Sequence, residues 1–346
     1  MPGLMIFTGR YYSPPFDEGV KLVARNLHLH LARLTDVFAL TTASEPPEDA
    51  IAVPNNPWRL FRGVRRICDE RHPDVVLYVP DAYLDRHTLA RAALLRLAAR
   101  APVVMVTLMP GQVDWLVRTA MYVWSPAKVF PSTDSEAELY RRHGVRTWVL
   151  PPAVDTERFR PPRDDQEKRS LRRKYGLPED DKLCLHVGHF RRSRNIEWLV
   201  RLRLPPGARL VVAGRRSRPG EDDMSGPLRD CGAIILDTFI PAIEEVYRAA
   251  DVYLFPTQNV RAAIAMPLSV LEAMASNLRV VTTPFGGLPI WFSGVAGVYF
   301  AGSPQEYQEA AVRALADSAG ETRRAVASRS WENLAEFVWD RIRRAG

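Results

Sequence analysis

The residues best placed by type and spacing to do chemistry fall in one run, Val252 to Phe285, VYLFPTQNVRAAIAMPLSVLEAMASNLRVVTTPF. Pro267 stands where a first helical residue is expected, since its missing N–H and fixed φ suit that position. The N–H groups of Leu268, Ser269 and Val270 then precede any acceptor inside the helix. Together with the helix dipole they favour an anion. Glu272 follows one turn in, on a largely apolar face, where a carboxylate is either solvated at an edge or engaged in hydrogen bonds. A phosphate at the helix tip and a diol on Glu272 would suit a nucleotide diphosphate. Other candidates carry less. His28 and His30, two apart on a helix, point to different faces and make a poor pair of metal ligands. The pairs Asp164–Asp165, Asp180–Asp181 and Asp222–Asp223 have no His or Cys beside them and read as solvated connections, so no metal site is expected. No nucleophile elbow is present.

These groups need a strand, a loop and a helix to hold them. Val252–Phe255 is a short apolar run ending at Pro256, which suits a buried strand. Leu268, Leu271, Met274 and Ala275 recur at helical spacing. Asn277 can end that helix in a left-handed conformation, and Val280 and Val281 open the next strand. The same alternation runs through the chain. Strands are expected at Leu4–Thr8, from Val37, at Val75–Pro80, Val103–Leu108, Ala127–Ser132 and Trp148–Pro152, with helices from about Val20 to Leu34 and around 58–69, 88–99 and 136–143. The alternation restarts with strands at Leu183–Phe190, Arg209–Gly214 and Ala233–Phe239, and helices near 195–202 and 243–250. Between the halves, Pro161, Pro162 and a polar run expected as exposed helix and turn mark a boundary. Strands alternating with helices of this length specify doubly wound α/β domains.

PLSVLEAMASNLRVVTT followed by FGGLP resembles the donor-binding segment of group 1 retaining glycosyltransferases of the GT-B fold. The resemblance implies two doubly wound Rossmann-like domains facing across a cleft: an acceptor-side domain over 1–155, a nucleotide-sugar-binding domain over 156–330, and a last helix over 331–346 crossing back to the first. That family has Glu, seven residues, Glu, then Ala-Met-Ala. Glu272 matches the second Glu, which implies that it holds the ribose hydroxyls. Ile264 stands at the first and cannot make its hydrogen bonds to the donor sugar. VGHFRRSRN resembles a family loop in which two cations hold the donor diphosphate and stabilise charge on the leaving group. Gly188 keeps the loop's glycine, which lets backbone approach a ligand. His189 stands at the Arg position and Arg194 at the Lys position, so these two are the catalytic candidates. Thr257, in the loop after the strand, joins Pro267, Leu268 and Ser269 on the donor side. The family's cleft histidine corresponds to Met109, which cannot move a proton. Glu18 and Gly19 correspond to its acceptor-side loop. Gly286–Gly287, at a strand's carboxyl end, lines the crevice as a contact or serves as a tight turn. The segment Trp115–Trp124 meets a lipid acceptor or packs on the sheet.

The implied activity is transfer of a sugar, with retention of configuration, from a nucleotide-diphosphate sugar to a glycan, lipid-linked or small acceptor. No cofactor beyond that donor is implied. Met109 and Ile264 leave a second reading, a catalytically degenerate binding or partner subunit. A GT-B-type nucleotide-sugar epimerase is a third, and it would need further cleft acids or histidines. Composition fits a folded two-domain protein: 346 residues, 47% hydrophobic and 25% charged. The net charge of +7 is spread over many helices and mixed with acids. Nucleic acid is therefore not an expected partner. Three scattered cysteines make no disulfide framework and read as small core residues. With no signal-peptide pattern at the start, the expected location is cytoplasmic, with contact at the periphery of the membrane's inner face.

Overall fold

Runs such as Leu4–Phe7 and Val75–Val79 are apolar at every position, and their side chains are buried on both faces of the strand. Such strands need cover on both sides, which a parallel sheet flanked by helices supplies. A computed structural model describes residues 3–9, 12–14, 16, 18–81, 84–109, 111, 115–214, 222–317 and 320–344. The first sheet holds β1 (Gly3–Thr8), β2 (Asp36–Thr41), β3 (Ala50–Ala52), β4 (Val75–Val79), β5 (Val103–Thr107), β6 (Lys128–Pro131) and β7 (Arg146–Thr147), in the order β3-β2-β1-β4-β5-β6-β7. The second holds β8 (Lys182–Val187), β9 (Ala208–Ala213), β10 (Ile234–Leu236), β11 (Val252–Phe255), β12 (Arg279–Thr282) and β13 (Val298–Phe300), in the order β10-β9-β8-β11-β12-β13. Every strand pair is parallel. In each sheet the winding reverses once, between β1 and β4 and between β8 and β11. The crevice outside the carboxyl ends of the strands at such a point is where doubly wound sheets bind ligands.

The chain divides into two units. One comprises Met1–Pro152, Ile264–Met266 and Trp331–Gly346; the other comprises Ala153–Ala263 and Pro267–Ser330. Within the first, helix Trp331–Arg343 packs on helix Gly19–Leu31. Phe337 meets Phe130 edge to face at 6.2 Å. Lys128 Nζ donates to the carbonyls of Arg341 (2.7 Å), Ile342 (3.1 Å) and Arg344 (2.8 Å), a cation satisfying the last carbonyls of a helix.

Several expectations need correction. Trp148–Pro152 is not a strand. Trp148 and Leu150 still donate to Val129 and Pro131, but Pro151 and Pro152 have no N–H with which to extend a ladder. The helix expected to reach Leu34 ends at Leu31, and the strand expected over Ala233–Phe239 is only Ile234–Leu236. The polar run after Pro162 does form a helix, Asp165–Lys174, but one face of it is buried. There Arg172 lies 2.7 Å from Asp251 Oδ2 and Lys168 lies 2.7 Å from Oδ1. Burial pushes the Asp251 carboxyl up; Lys168, the Leu183 N–H and Arg172 outweigh it and hold it below its ordinary value. Cys231 is exposed, unlike Cys68 and Cys184. Helix Trp115–Trp124 packs inward through Val117, Ala120 and Met121, as one of the two expectations for it had it, while Trp115, Tyr122 and Val123 are exposed.

Candidate functional site

Helix Leu268–Ala275 is anchored by Val270, Leu271, Ala273, Met274 and Ala275, all buried. Burying each larger apolar side chain stabilises by about 1.5–3 kcal/mol. Its end is a left-handed cap: Asn277 has φ +59, Asn277 N donates to Met274 O at 2.9 Å and Leu278 N to Ala273 O at 3.0 Å. The beginning differs from expectation. Pro267 is the residue before the helix, with ψ 117, and its carbonyl accepts from Val270 N at 3.1 Å. The Val270 N–H is therefore engaged, and Leu268 and Ser269 supply the N–H groups at the tip. Proline is tolerated at either position because neither asks for its N–H.

Glu272 is half-buried on this helix. The Tyr247 hydroxyl, fully buried, donates to its Oε2 at 2.9 Å. Burial foremost raises the Glu272 carboxyl to about 7; the Tyr247 hydrogen bond and the charge of Arg158 oppose the rise. Tyr253, on β11 and fully buried, is the second aromatic here, its ring centroid 5.7 Å from that of Tyr247. Its hydroxyl donates to Val187 O at 3.3 Å. Burial pushes the Tyr253 phenol up, against a hydrogen bond with Ser269 and the charge of Arg194, and Glu272 adds to the rise. The Tyr247–Tyr253 ring pair thus links the Glu272 carboxylate to the backbone before Gly188, with Ser269 hydrogen-bonded to the Tyr253 phenol.

The loop after β8 is built on close backbone contact. A Cβ on Gly214 would lie 2.0 Å from Gly188 O, and one on Gly188 would lie 2.8 Å from Arg194 Nη1. Glycine is needed at Gly214 because a carbonyl cannot step aside. Arg192–Arg194 forms a 3-10 turn that ends at Asn195, φ +56. The hydroxyl of Thr257, fully buried, donates to Arg194 O at 3.5 Å, and Asn195 Nδ2 donates to Gln258 Oε1 at 3.1 Å. The loops after β8 and β11, the two strands at the reversal, are thereby tied together. His189 is half-buried in the same loop, and its carbonyl accepts from Arg191 N at 2.9 Å. Gly286, φ +53, and Gly287 form the turn between β12 and helix Leu288–Phe292.

The remaining candidates gather in the first unit. Glu18 is exposed just before helix Gly19–Leu31, and its side chain caps nothing. A Cβ on Gly19 would come within 2.8 Å of Ile264 Cδ1. Ala265 N donates to Leu108 O at 2.8 Å, beside the half-buried Met109. Ile264 itself is buried at 7% exposure among these groups. Among the described residues, no group of three or more His, Cys, Asp or Glu side chains stands ready to hold a metal. Sequence reasoning missed Tyr247, Tyr253 and His186. Their only signal is a polar group inside an otherwise apolar element.

Residues 181–317, which lie in the second unit apart from Ile264–Met266, match the family model for Glycosyl transferases group 1. D-inositol 3-phosphate glycosyltransferase of Actinosynnema mirum is 31% identical over 236 residues, covering 62% of this chain and 54% of that protein. The chain spans about half the length of the curated relatives it matches. Among solved structures, sucrose-phosphate synthase from Thermosynechococcus elongatus aligns with TM-score 0.78 at 18% identity, covering 99% of this chain and 98% of that one. HepE of Anabaena in complex with UDP aligns with TM-score 0.78 at 14% identity, covering 99% of each chain; HepE has also been solved with UDP-glucose. These likenesses establish the fold class as GT-B, two parallel α/β sheets in one chain.

Proposed function

We propose that the chain transfers a sugar from a nucleotide-diphosphate sugar to an acceptor, with retention of configuration. The observation that carries the reading is that, at the reversal of the second sheet, the Arg194 guanidinium lies against Gly188 while the Tyr247–Tyr253 pair links the backbone before Gly188 to Glu272. A helix tip and a guanidinium suit a diphosphate; a carboxylate held by a phenol suits a ribose diol. The UDP and UDP-glucose complexes of HepE, and the transferase named among the relatives, support it. Arg194, the Pro267 helix tip and a protonated His189 stabilise the departing diphosphate, with Gly188 and Thr257 shaping the pocket. Glu18, Gly19 and Met109, in the first unit, serve the acceptor, and Gly286 and Gly287 line the crevice of the second unit. The reaction uses no resident cofactor or metal. Met109 and Ile264, apolar where the resemblance asks for polar side chains, favour one second reading, a subunit that binds the nucleotide sugar without turning it over.

A thermal-shift panel of UDP-, GDP-, ADP- and dTDP-sugars tests the donor reading. One base is expected to raise the melting temperature, since a ligand at a hundred times its Kd stabilises the fold by about 2.7 kcal/mol. No shift with any of them, and no heat in calorimetry, contradicts it. The same reading places the protein in the cytoplasm at the inner membrane face. Among the described residues no helix is long and apolar enough to cross a membrane. Trp115, Tyr122 and Val123, exposed beside Arg118, suit an interfacial contact. Co-sedimentation with anionic vesicles, lost in a Trp115→Ser, Tyr122→Ser variant, is the expected result; no sedimentation of the wild type contradicts it.

A further inference from the structure

His186 is the last residue but one of β8, fully buried at the reversal of the second sheet. The β8–β11 ladder pairs Val252 with Cys184 and Tyr253 with Leu185 and goes no further. Beyond it, His186 Nδ1 lies 2.8 Å from Leu254 O. A carbonyl oxygen only accepts, so Nδ1 carries the proton and Nε2 presents a lone pair. Nε2 is buried and has no hydrogen-bond partner among the described residues. The side chain of Gly188 that does not exist leaves a gap there. The point a Cβ would occupy is 3.3 Å from His186 Nε2 and 2.8 Å from Arg194 Nη1. An acceptor with nothing to accept and a guanidinium that can only donate thus converge on one gap.

We propose that His186 is a positioning residue for the diphosphate clamp: when the donor binds, its Nε2 takes an N–H of Arg194 through the gap at Gly188 and so aims the rest of the guanidinium at the donor phosphates. The inference rests on the donor-site reading above. It gives Gly188 a second task, because any side chain there would separate the two groups. Burial foremost, with the charge of Arg194 and against the hydrogen bond to Leu254, lowers the imidazole to about 4. His186 is therefore neutral, and remains an acceptor, throughout the ordinary range of pH.

Two substitutions separate positioning from strand pairing. In His186→Asn the amide reaches where Nδ1 lies and keeps the bond to Leu254, but nothing stands at Nε2. In His186→Gln the amide reaches where Nε2 lies and can accept from Arg194. The probes are whichever of UDP, GDP, ADP and dTDP the wild type binds best, together with its monophosphate. The readout is the ratio of the two affinities, with the melting temperature measured alongside. The expected result is that His186→Asn lowers the preference for the diphosphate by roughly tenfold at nearly unchanged melting temperature. His186→Gln keeps that preference within about threefold, and His186→Asn has no further effect in an Arg194→Ala background. An unchanged ratio in His186→Asn, equal loss for both nucleotides, or effects that simply add to those of Arg194→Ala would overturn it. If the wild type binds none of the four, the donor reading falls and takes the inference with it. If it binds one and the ratio does not move, only the inference falls.

Discussion

Arg194→Ala is expected to weaken binding of a nucleotide-diphosphate sugar by roughly ten- to a hundredfold while leaving the free nucleoside nearly unaffected. The magnitude is that of hydrogen bonds to a charged group, about 1.5–3 kcal/mol, and a guanidinium's fork can make two of them to one phosphate. The split follows from position. Arg194 is fixed through its backbone to Thr257 and its guanidinium lies against Gly188; on the proposed reading its side chain serves the anion at the helix tip. Arg194→Lys should recover only part of the loss, since an ammonium is a point charge without the fork. Calorimetry with the nucleotide sugar and the nucleoside, on wild type and both variants, measures it. Equal loss for both ligands would place Arg194 outside the diphosphate contact.

Glu272→Gln is expected to weaken the nucleotide sugar by about 1.5–3 kcal/mol at high pH and by less at low pH. With its carboxyl raised to about 7, Glu272 is largely neutral at pH 6 and largely charged at pH 8. The charged form is the better acceptor for ribose hydroxyls, so its contribution to affinity grows as pH rises through about 7. A nucleotide sugar is the right probe because its esterified diphosphate has no proton to lose there. Stability carries the opposite sign. The folded protein holds the Glu272 proton above the ordinary carboxylate range, so this contribution is full below about 4.5 and is lost as pH rises through about 7. Denaturation of the ligand-free protein should therefore show less decline over that span in Glu272→Gln. His189 would act on affinity in the other direction, a protonated imidazole beside a diphosphate favouring low pH. The curve left in Glu272→Gln isolates it. A wild-type affinity that falls steadily from pH 6 to 8, unchanged by Glu272→Gln, would remove Glu272 from the site.

Much of this was legible because periodicity and punctuation report local structure directly. The buried strands announce themselves as apolar runs, and Asn277 takes the left-handed cap read from its place after a helical stripe. Failures occurred where tertiary contacts decide. Ala50–Ala52 is too short to signal a strand, and Arg172 lies in a run of charges whose buried face exists only because Asp251 waits beneath it. In the candidate site, the helix that carries Glu272 could be placed from spacing, because a carboxylate on an apolar helix is conspicuous. Tyr253 and His186 could not. Each looks like strand filling until the fold brings Arg194, Gly188 and Ser269 to its polar atom. Ile264 shows the limit differently: its type was read correctly as apolar, but only the fold shows it buried against Gly19.

The most direct test pairs a protein group with a ligand group. With the nucleotide sugar selected by the thermal-shift panel, affinities are measured for the ribose form and for its 2′- and 3′-deoxy analogues, on wild type and on Glu272→Gln. If Glu272 holds the diol at this helix, removing a hydroxyl weakens binding to the wild type but costs little more in Glu272→Gln, because both changes break the same contact. If the deoxy analogues lose as much affinity for Glu272→Gln as for wild type, the ribose lies elsewhere, and the donor site assigned to Arg194, Ser269 and Glu272 is wrong.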